Sequence, residues 1–171
     1  KSFLKVFLKM KQPKRILEVG TAVGFSAVFM AQYGEADAEI TTIENYEKTH
    51  PDRTGELEKS GFADRITLIP GDAAEVLKTL DGPYDFIFMD AAKGQYIHFL
   101  PEVLRVLDKN GVLITDNVLQ DGDVIESRFA VERRNRTIHK RMREYLFELT
   151  HNEGLLTSVV PLGDGIAITM K

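Results

Sequence analysis

The chain has 171 residues, of which 43% are hydrophobic and 28% are charged, as is ordinary for one globular domain. It contains no cysteine, which excludes disulfide bonds and thiolate metal sites and agrees with a cytoplasmic location. No apolar run approaches the roughly 18 residues that a membrane-spanning helix needs, so the sequence predicts no such segment.

The net charge of −4 conceals two basic segments. Residues 1–15 carry six basic side chains and no acidic one, and residues 128–143 carry seven basic side chains against one acidic one. The rest of the chain is strongly acidic. Basic segments on an acidic protein are typical of a surface that docks a polyanion, and also of a solvated helix face.

Short apolar runs alternate with helical patterns through the first two thirds of the chain. The predicted strands are Arg15–Val19, Glu39–Ile43, Arg65–Ile69, Tyr84–Met89 and Val112–Thr115. The predicted helices lie near residues 24–33, 46–60, 73–80 and 94–108. Strands that alternate with helices indicate right-handed crossovers and a parallel sheet with helices on both faces.

The two ends of the chain follow other patterns. Residues 126–152 predict one long helix with a basic face, and two apolar runs around Gly163-Asp164-Gly165 predict an antiparallel hairpin. The opening SFLKVFLKMK predicts a helix packed on the sheet, with contact to a membrane surface as the weaker alternative. We expect one domain over residues 1–171. Because the chain starts at Lys1, we also expect an upstream segment to be missing.

A glycine-bearing loop follows the first strand in LEVGTAVGFSA. Gly20 and Gly24 allow a ligand to approach the backbone closely, but their G-x-x-x-G spacing is not the G-x-G-x-x-G of dinucleotide sites. S-adenosylmethionine has no phosphate and does not need that tighter loop. Glu44 ends the second strand, where a carboxylate accepts hydrogen bonds from both ribose hydroxyls of either cofactor. The loop therefore favours the methyl donor over a dinucleotide.

Acidic side chains also end the later strands. Asp72 follows the third strand, where it suits the adenine group or caps the next helix. Asp90 follows the fourth strand, and Asp116 with Asn117 follows the fifth. Ligands bind beyond the carboxyl ends of parallel strands, and two carboxylates with an amide oxygen are hard ligands. These three residues predict a site for magnesium or a similar divalent ion, the alternative being that Asp116 and Asn117 only cap a loop.

Taken together, these motifs resemble the cation-dependent O-methyltransferase family, which includes catechol and caffeoyl-coenzyme A O-methyltransferases. The resemblance covers essentially the whole chain and is carried by LEVGTAVGFSA, TIEN, GDAAEVL, FMDAAKGQY, TDNVL and PLGDGIAI. It implies an α/β, Rossmann-like class I S-adenosylmethionine-dependent methyltransferase. Its mostly parallel seven-stranded sheet would end in an antiparallel C-terminal hairpin strand, with helices on both faces. The DAAKGQY motif and the arginine-rich final helix are most similar to the bacterial tRNA 5-hydroxyuridine methyltransferases.

The resemblance also implies roles for individual residues. The implied metal ligands are Asp90, Asp116 and Asn117. The implied catalytic residues are Asp90 and Lys93, the latter as general base. The implied cofactor-binding residues are Glu18, Gly20, Ser26, Glu44, Asp72, Ala73 and Asp90. The implied cofactors are S-adenosyl-L-methionine and Mg²⁺ or another divalent cation such as Mn²⁺. A cation close to Lys93 would favour its neutral amine, which then accepts the hydroxyl proton.

The acceptor follows from the basic segments together with the resemblance. Catechols and 5-hydroxyuridine both present two adjacent oxygens, so the metal ligands do not separate them. The basic segment favours tRNA, with 5-methoxyuridine at the anticodon wobble position as the product. Its candidate RNA-binding residues are Arg133, Arg134, Arg136, Lys140 and Arg141. Two alternatives remain: a small-molecule catechol or caffeoyl-CoA O-methyltransferase, and a non-catalytic protein that binds S-adenosylmethionine. The family resemblance further implies a homodimer and no membrane partner.

Overall fold

The architecture is taken from a computed structural model of the chain. It describes residues 2–20, 25–45, 54–119, 124 and 131–171, without the side chains of residues 54–56 and 134. Within these ranges the strands are β1 (Arg15–Val19), β2 (Glu39–Glu44), β3 (Ile66–Pro70), β4 (Tyr84–Met89), β5 (Leu107–Asp116), β6 (Leu156–Val160) and β7 (Ile166–Met170). The helices are α1 (Ser2–Lys11), α2 (Phe25–Tyr33), α3 (Thr54–Lys59), α4 (Ala73–Thr79), α5 (Tyr96–Val106) and α6 (Arg136–His151).

The strands form one seven-stranded sheet in the order β3-β2-β1-β4-β5-β7-β6. Strands β1 to β5 pair in parallel, and β7 pairs antiparallel with both β5 and β6. This confirms the predicted fold class and the C-terminal hairpin. Because β1 and β4 lie next to each other at the centre, the chain reverses its direction of winding between them. In open α/β sheets such a switch point is where ligands bind.

Burial explains why the central strands lack polar alternation. Every residue of Phe86–Met89 is buried, as are the three apolar residues and the threonine of Val112–Thr115, because helices cover both faces of the sheet. One core cluster lies on the side of α4, α5 and α6, and the other lies on the side of α1 and α2. Helix α1 packs on the sheet as predicted: Leu8 is buried, and the ring centroids of Phe7 and Phe86 are 6.4 Å apart.

The predicted element bounds need two corrections. Strand β5 starts at Leu107 rather than Val112, because the chain leaves α5 at Val106 and is already extended when it pairs with Tyr84. Helix α6 starts at Arg136 and not at residue 126: Val131 is buried outside the helix, and a 3-10 turn, Arg133–Asn135, leads into it. Most of the predicted helix 46–60 lies outside the described residues, as do Gly24 and residues 126–130. Among the described helices, none is both long and apolar enough to cross a bilayer.

Candidate active site

The carboxyl ends of the central strands bring the predicted metal ligands together. Asp90 follows β4 directly, Asp116 is the last residue of β5, and the two strands pair in register up to Met89 and Thr115. The Asn117 amide nitrogen lies 3.4 Å from the Asp90 Oδ1 atom, and the Asn117 backbone N–H donates to the Asp116 carboxylate at 2.8 Å. All three side chains are half-buried and line one cavity.

Backbone conformation helps to present this group. Asn117 has φ +58°, in the left-handed region, which asparagine adopts more readily than most other residues. Strained backbone of this kind concentrates at functional sites. The described residues contain no group of three or more His, Cys, Asp or Glu side chains suited to a metal ion. The candidate set therefore consists of two carboxylates and one amide, a donor set that fits a hard cation such as Mg²⁺.

The electrostatics of the pair agree with a cation-binding role. Burial and the nearby Asp116 carboxylate together raise the pKa of Asp90, while the Asn117 hydrogen bond and the Lys93 charge act in the opposite direction. Two carboxylates forced close together without a cation repel each other. A bound cation would offset that repulsion.

Lys93 stands at the start of a 3-10 turn, Lys93–Gln95, that leads into α5. Its side chain is half-buried, and the described part of the chain offers its ammonium no hydrogen bond and no ion pair. The next residue, Gly94, accepts a hydrogen bond from the Arg141 guanidinium at 3.2 Å through its carbonyl oxygen. Helix α6 therefore holds the turn that carries Lys93.

A cavity of about 630 Å³ lies on the side of β2, β3 and the start of α5. We call it the cofactor-side cavity. Four of the predicted cofactor residues, Gly20, Glu44, Asp72 and Ala73, line it together with Asp90. Gln95 and Phe99 are among the lining residues that the sequence reasoning missed. They face the cavity from the turn before α5 and from its first helical turn, a position that only the packing of α5 determines.

Glu18 and Ser26 occupy a different place from the other predicted cofactor residues. Glu18 is completely buried and accepts hydrogen bonds from the hydroxyls of Ser26 and Thr42, the latter at 2.5 Å. Neither residue is among the described residues that line the cofactor-side cavity, whereas Ser26 lines the cavity on the opposite side of Asp90. In this structure Glu18 ties the start of α2 to β1 and β2.

The second cavity, of about 520 Å³, lies between α1, α2 and the β6–β7 turn. We call it the acceptor-side cavity. Phe25, Phe29 and Phe88 form part of its wall, together with Asp90 and Asp116. Asp90 lines both cavities. Sequence reasoning did not find these phenylalanines because they belong to two elements, α2 and β4, whose apolar patterns indicate only burial.

Two tyrosines brace the end of β5. The Tyr96 hydroxyl donates to the Asp116 carbonyl at 3.2 Å, and the Tyr145 hydroxyl shares a 2.6 Å hydrogen bond with Thr115. Both rings are completely buried with centroids 5.6 Å apart, and burial raises the pKa of both phenols. Tyr96 is not among the described residues that line either cavity, so it packs in the core rather than lining the acceptor side. For Tyr145, the only sequence feature that indicated burial was the amphipathic pattern of its helix.

The candidate RNA-binding residues fall into two groups. Arg133 and Lys140 are exposed, and Lys140 forms a long 3.6 Å ion pair with Glu144. Arg136 and Arg141 are half-buried, and each donates to a backbone carbonyl, of Val131 and Gly94 respectively. The Arg134 side chain lies outside the described part. We call Arg133, which precedes the helix, together with Arg136, Lys140 and Arg141 the basic surface of α6.

A comparison with family profiles identifies the family. The profile of the O-methyltransferase family matches residues 1–171, so the chain belongs to that family. Among curated proteins, the chain is 31% identical over 124 residues to a catechol O-methyltransferase of Mycobacterium tuberculosis. It is 31% identical over 185 residues to caffeoyl-CoA O-methyltransferase 1 of Arabidopsis thaliana, a match that covers 99% of the chain and 68% of the relative.

The match to the M. tuberculosis enzyme covers 72% of this chain and only 56% of the enzyme. A second catechol O-methyltransferase, from Niastella koreensis, is covered to 58%. The chain thus spans little more than half the length of these two curated relatives.

Solved structures share the fold over nearly the whole chain. A Staphylococcus aureus protein superposes with a TM-score of 0.90 at 33% identity, covering 99% of this chain and 81% of that one. An SAH-bound methyltransferase from Podospora anserina gives a TM-score of 0.86 at 29% identity, covering 98% and 76%.

Proposed function

We propose that this chain transfers a methyl group from S-adenosylmethionine to a hydroxyl oxygen, and that the reaction depends on a divalent cation. The observation that carries the proposal is the position of Asp90, which lines two separate cavities. A methyl donor in one cavity and an acceptor in the other would meet beside this carboxylate. Membership in the O-methyltransferase family and the SAH-bound Podospora relative support the choice of donor.

The cation would be held by Asp90, Asp116 and Asn117, which line the acceptor-side cavity. When bound, a divalent cation lowers the pKa of a neighbouring hydroxyl and stabilises its anionic form. The protein contributes the fixed positions of its ligands. The hydrogen bond between Asn117 and Asp90 and the Tyr96 hydroxyl on the Asp116 carbonyl hold them at the end of β5.

Lys93 takes the role of the general base in this proposal. Its amine accepts the proton of the acceptor hydroxyl, and the acceptor oxygen then bonds to the methyl carbon while the carbon–sulfur bond breaks. The products are a methyl ether and S-adenosylhomocysteine. Because Arg141 holds the Gly94 carbonyl, the turn that positions Lys93 is anchored to α6. Binding donor and acceptor side by side supplies much of the rate acceleration.

The cofactor-side cavity matches the polar parts of the donor. Glu44 would accept hydrogen bonds from the ribose hydroxyls, and Asp72 with Ala73 would face the adenine side. Gly20 lets the backbone of the loop pass close to the ligand.

For the acceptor we propose 5-hydroxyuridine at the wobble position of a tRNA anticodon. The support is the basic surface of α6, which begins next to the turn that carries Lys93, because Arg141 contacts Gly94 directly. Exposed Arg133 and Lys140 on the same helix region would bind backbone phosphates while the base enters the acceptor-side cavity. Its aromatic walls suit a planar ring.

A small catechol is the second candidate acceptor. It is favoured by the same phenylalanine walls and by the catechol and caffeoyl-CoA O-methyltransferases among the relatives. A protein that binds the cofactor without chemistry is disfavoured, since such a protein would not need Asp90, Asp116, Asn117 and Lys93 around one cavity.

Methyl-transfer assays with two acceptors test the proposal. One acceptor is tRNA that carries 5-hydroxyuridine, the other is catechol, and each is assayed with Mg²⁺ and with a chelator. We expect transfer to the tRNA that chelation abolishes. Transfer to catechol alone would refute the tRNA assignment, transfer that resists chelation would refute the role of the cation, and no transfer to either would refute the activity.

The basic surface has its own test. The double variant Arg133→Ala/Lys140→Ala should weaken tRNA binding and reduce the slope of log affinity against log salt by about 1 to 2. The matched control is Lys78→Ala/Lys109→Ala, which removes the same charge from exposed positions at the opposite edge of the sheet. Equal effects of the two double variants would show that only net charge matters, and would remove the role of α6.

A further inference from the structure

Asn117 is an extra residue at the point where β5 leaves its pairing with β7. The two antiparallel strands keep one register up to Asp116, which lies opposite Ile166. In that register residue 117 would lie opposite Gly165, yet it is the Val118 N–H that donates to the Gly165 carbonyl, at 3.0 Å. The chain after β5 therefore carries one residue more than β7, as in a β-bulge, and that residue is Asn117.

This bulge explains how two successive residues reach the same cavity. Successive side chains of a regular strand point to opposite faces of the sheet, yet Asp116 and Asn117 both line the acceptor-side cavity. The Asn117 backbone has φ +58°, and its N–H donates to the Asp116 carboxylate at 2.8 Å. Bulges re-aim side chains in this way next to functional sites. The extra residue is therefore what brings the Asn117 amide within 3.4 Å of the Asp90 carboxylate.

The turn between β6 and β7 holds the bulge from its far side. The Leu119 N–H donates to the Asp164 carbonyl at 2.8 Å, next to the bond between Val118 and Gly165. Two consecutive backbone hydrogen bonds therefore join this turn to the two residues that directly follow Asn117.

Gly165 is the residue that allows the turn to come so close. It has φ +84°, and a Cβ atom there would lie 2.8 Å from both the Cβ and the Cδ1 atoms of Leu119, and closer still to its Cγ atom. Because a Cβ atom is fixed by the backbone, any residue other than glycine must push Leu119 away. Gly163 in the same turn has φ +60°, but a Cβ atom there would meet nothing within 4 Å. The two glycines thus share a left-handed backbone and differ in the close contact.

We propose that Gly165 is a positioning residue of the cation site, because its contact with Leu119 sets where Asn117 presents its amide oxygen. This inference rests on the proposed function, in which Asn117 is a cation ligand. Gly165 and Leu119 are not among the described residues that line either cavity, so they act on the cation only through the backbone of the bulge. Replacing a group that orients a metal ligand typically lowers metal affinity by about ten- to one-hundred-fold.

The experiment titrates the protein with Mn²⁺ and follows binding by electron paramagnetic resonance in the wild type, Gly165→Ala and Gly163→Ala. We expect Gly165→Ala to bind Mn²⁺ about tenfold more weakly or worse, because the displaced Leu119 moves the bulge. Gly163→Ala carries the same kind of backbone strain without the collision and should bind Mn²⁺ like the wild type. Equal losses in the two variants would show that only strain in the turn matters and would overturn the inference, as would wild-type affinity in Gly165→Ala.

Two further variants separate the collision from a general loss of stability. Gly165→Asn also adds a Cβ atom, but asparagine adopts a positive φ more readily than alanine, so this variant should be more stable than Gly165→Ala and lose at least as much Mn²⁺ affinity. The double variant Gly165→Ala/Leu119→Ala lacks the Cγ and Cδ1 atoms that the new methyl group would meet, and it should recover part of the lost affinity. A double variant that binds Mn²⁺ no more tightly than Gly165→Ala would overturn the inference.

Binding of S-adenosylhomocysteine, measured by calorimetric titration, separates the cation site from the fold as a whole. Gly165→Ala should bind this ligand like the wild type, because the turn contributes no described residue to the cofactor-side cavity. A parallel loss of both ligands would show that the substitution loosens the whole fold and would overturn the inference. If the wild type itself binds no Mn²⁺, the proposed cation dependence fails, and the inference fails with it. If the wild type binds Mn²⁺ and Gly165→Ala binds it equally well, the inference alone fails.

Discussion

Replacing Gly20 with alanine tests how closely β1 and β4 approach at the point where the two cavities meet. A Cβ atom at Gly20 would lie 2.5 Å from the Asp90 carbonyl oxygen and 2.8 Å from the Ala91 Cα atom. Both contacts are with backbone, which cannot rotate away. Gly20 also has φ +88°, so alanine would be strained there even without neighbours.

Gly61 provides a matched control. It has a similar φ of +77°, but a Cβ atom there would meet nothing within 4 Å. We expect Gly61→Ala to cost about 1–2 kcal/mol of unfolding free energy from the backbone strain alone. Gly20→Ala should cost about 1–3 kcal/mol more, because the added methyl group must displace the backbone around Asp90. The difference between the two variants in unfolding free energy measures the cost of the close contact between residue 20 and the backbone of Asp90 and Ala91.

Urea denaturation of the two variants measures this difference in unfolding free energy. Calorimetric titration measures the affinity of each variant for S-adenosylhomocysteine. Gly61→Ala should bind the ligand like the wild type, because Gly61 is not among the described residues that line either cavity. Gly20→Ala should bind it at least about tenfold more weakly, in line with roughly 1.4 kcal/mol or more of lost binding free energy. Equal unfolding free energies for the two variants, or wild-type affinity in Gly20→Ala, would refute the reasoning.

Three further predictions follow from single contacts. Asp72 accepts a hydrogen bond from the Ala74 N–H at 2.8 Å as the N-cap of α4, so Asp72→Ala should lose about 1 kcal/mol of stability while Asp72→Ser keeps it. Both variants should bind S-adenosylhomocysteine more weakly if the carboxylate faces adenine; wild-type affinity in both would contradict that role. In the chelator-treated protein, Asp116→Asn should raise the melting temperature, because the repulsion between the Asp116 and Asp90 carboxylates is relieved. Added Mg²⁺ should no longer raise the melting temperature of this variant. A Mg²⁺-induced rise that survives in this variant would argue against the ligand set. Tyr96→Phe should cost about 1 kcal/mol and weaken Mn²⁺ binding measured by electron paramagnetic resonance, because the Asp116 carbonyl loses its hydroxyl partner. Tyr145→Phe should cost a similar amount, yet leave Mn²⁺ binding near the wild-type value; equal losses of Mn²⁺ affinity would contradict a specific role for Tyr96.

Most of the fold could be read from local patterns. Strands β1 and β4 have the predicted bounds, and β2 and β3 agree within one residue, because a doubly covered strand is a short apolar run with polar residues at its ends. The start of α6 could not be read in this way. Residues before Arg136 have helical composition, but Val131 is buried outside the helix, and such burial depends on which surface the segment meets.

The residues of the candidate site also divide into those that local patterns predicted and those that they did not. Asp90, Asp116 and Asn117 were predicted together because neighbouring parallel strands end at one edge of the sheet, a rule that needs only strand order. The place of Glu18 was not predictable from position alone. Its side chain turns into the core and is satisfied by Ser26 and Thr42, so it is not among the described lining residues of the cofactor-side cavity.

The sequence by itself determined the alternation of strands and helices, the acidic strand ends and the family. These features depend on residues close together in the chain, whose spacing and turn chemistry act locally. Only the tertiary structure decided that Asp90 lines two cavities and that Arg141 holds the turn of Lys93. Each of these features joins segments far apart in the chain, which meet only when the helices pack on the two faces of the sheet.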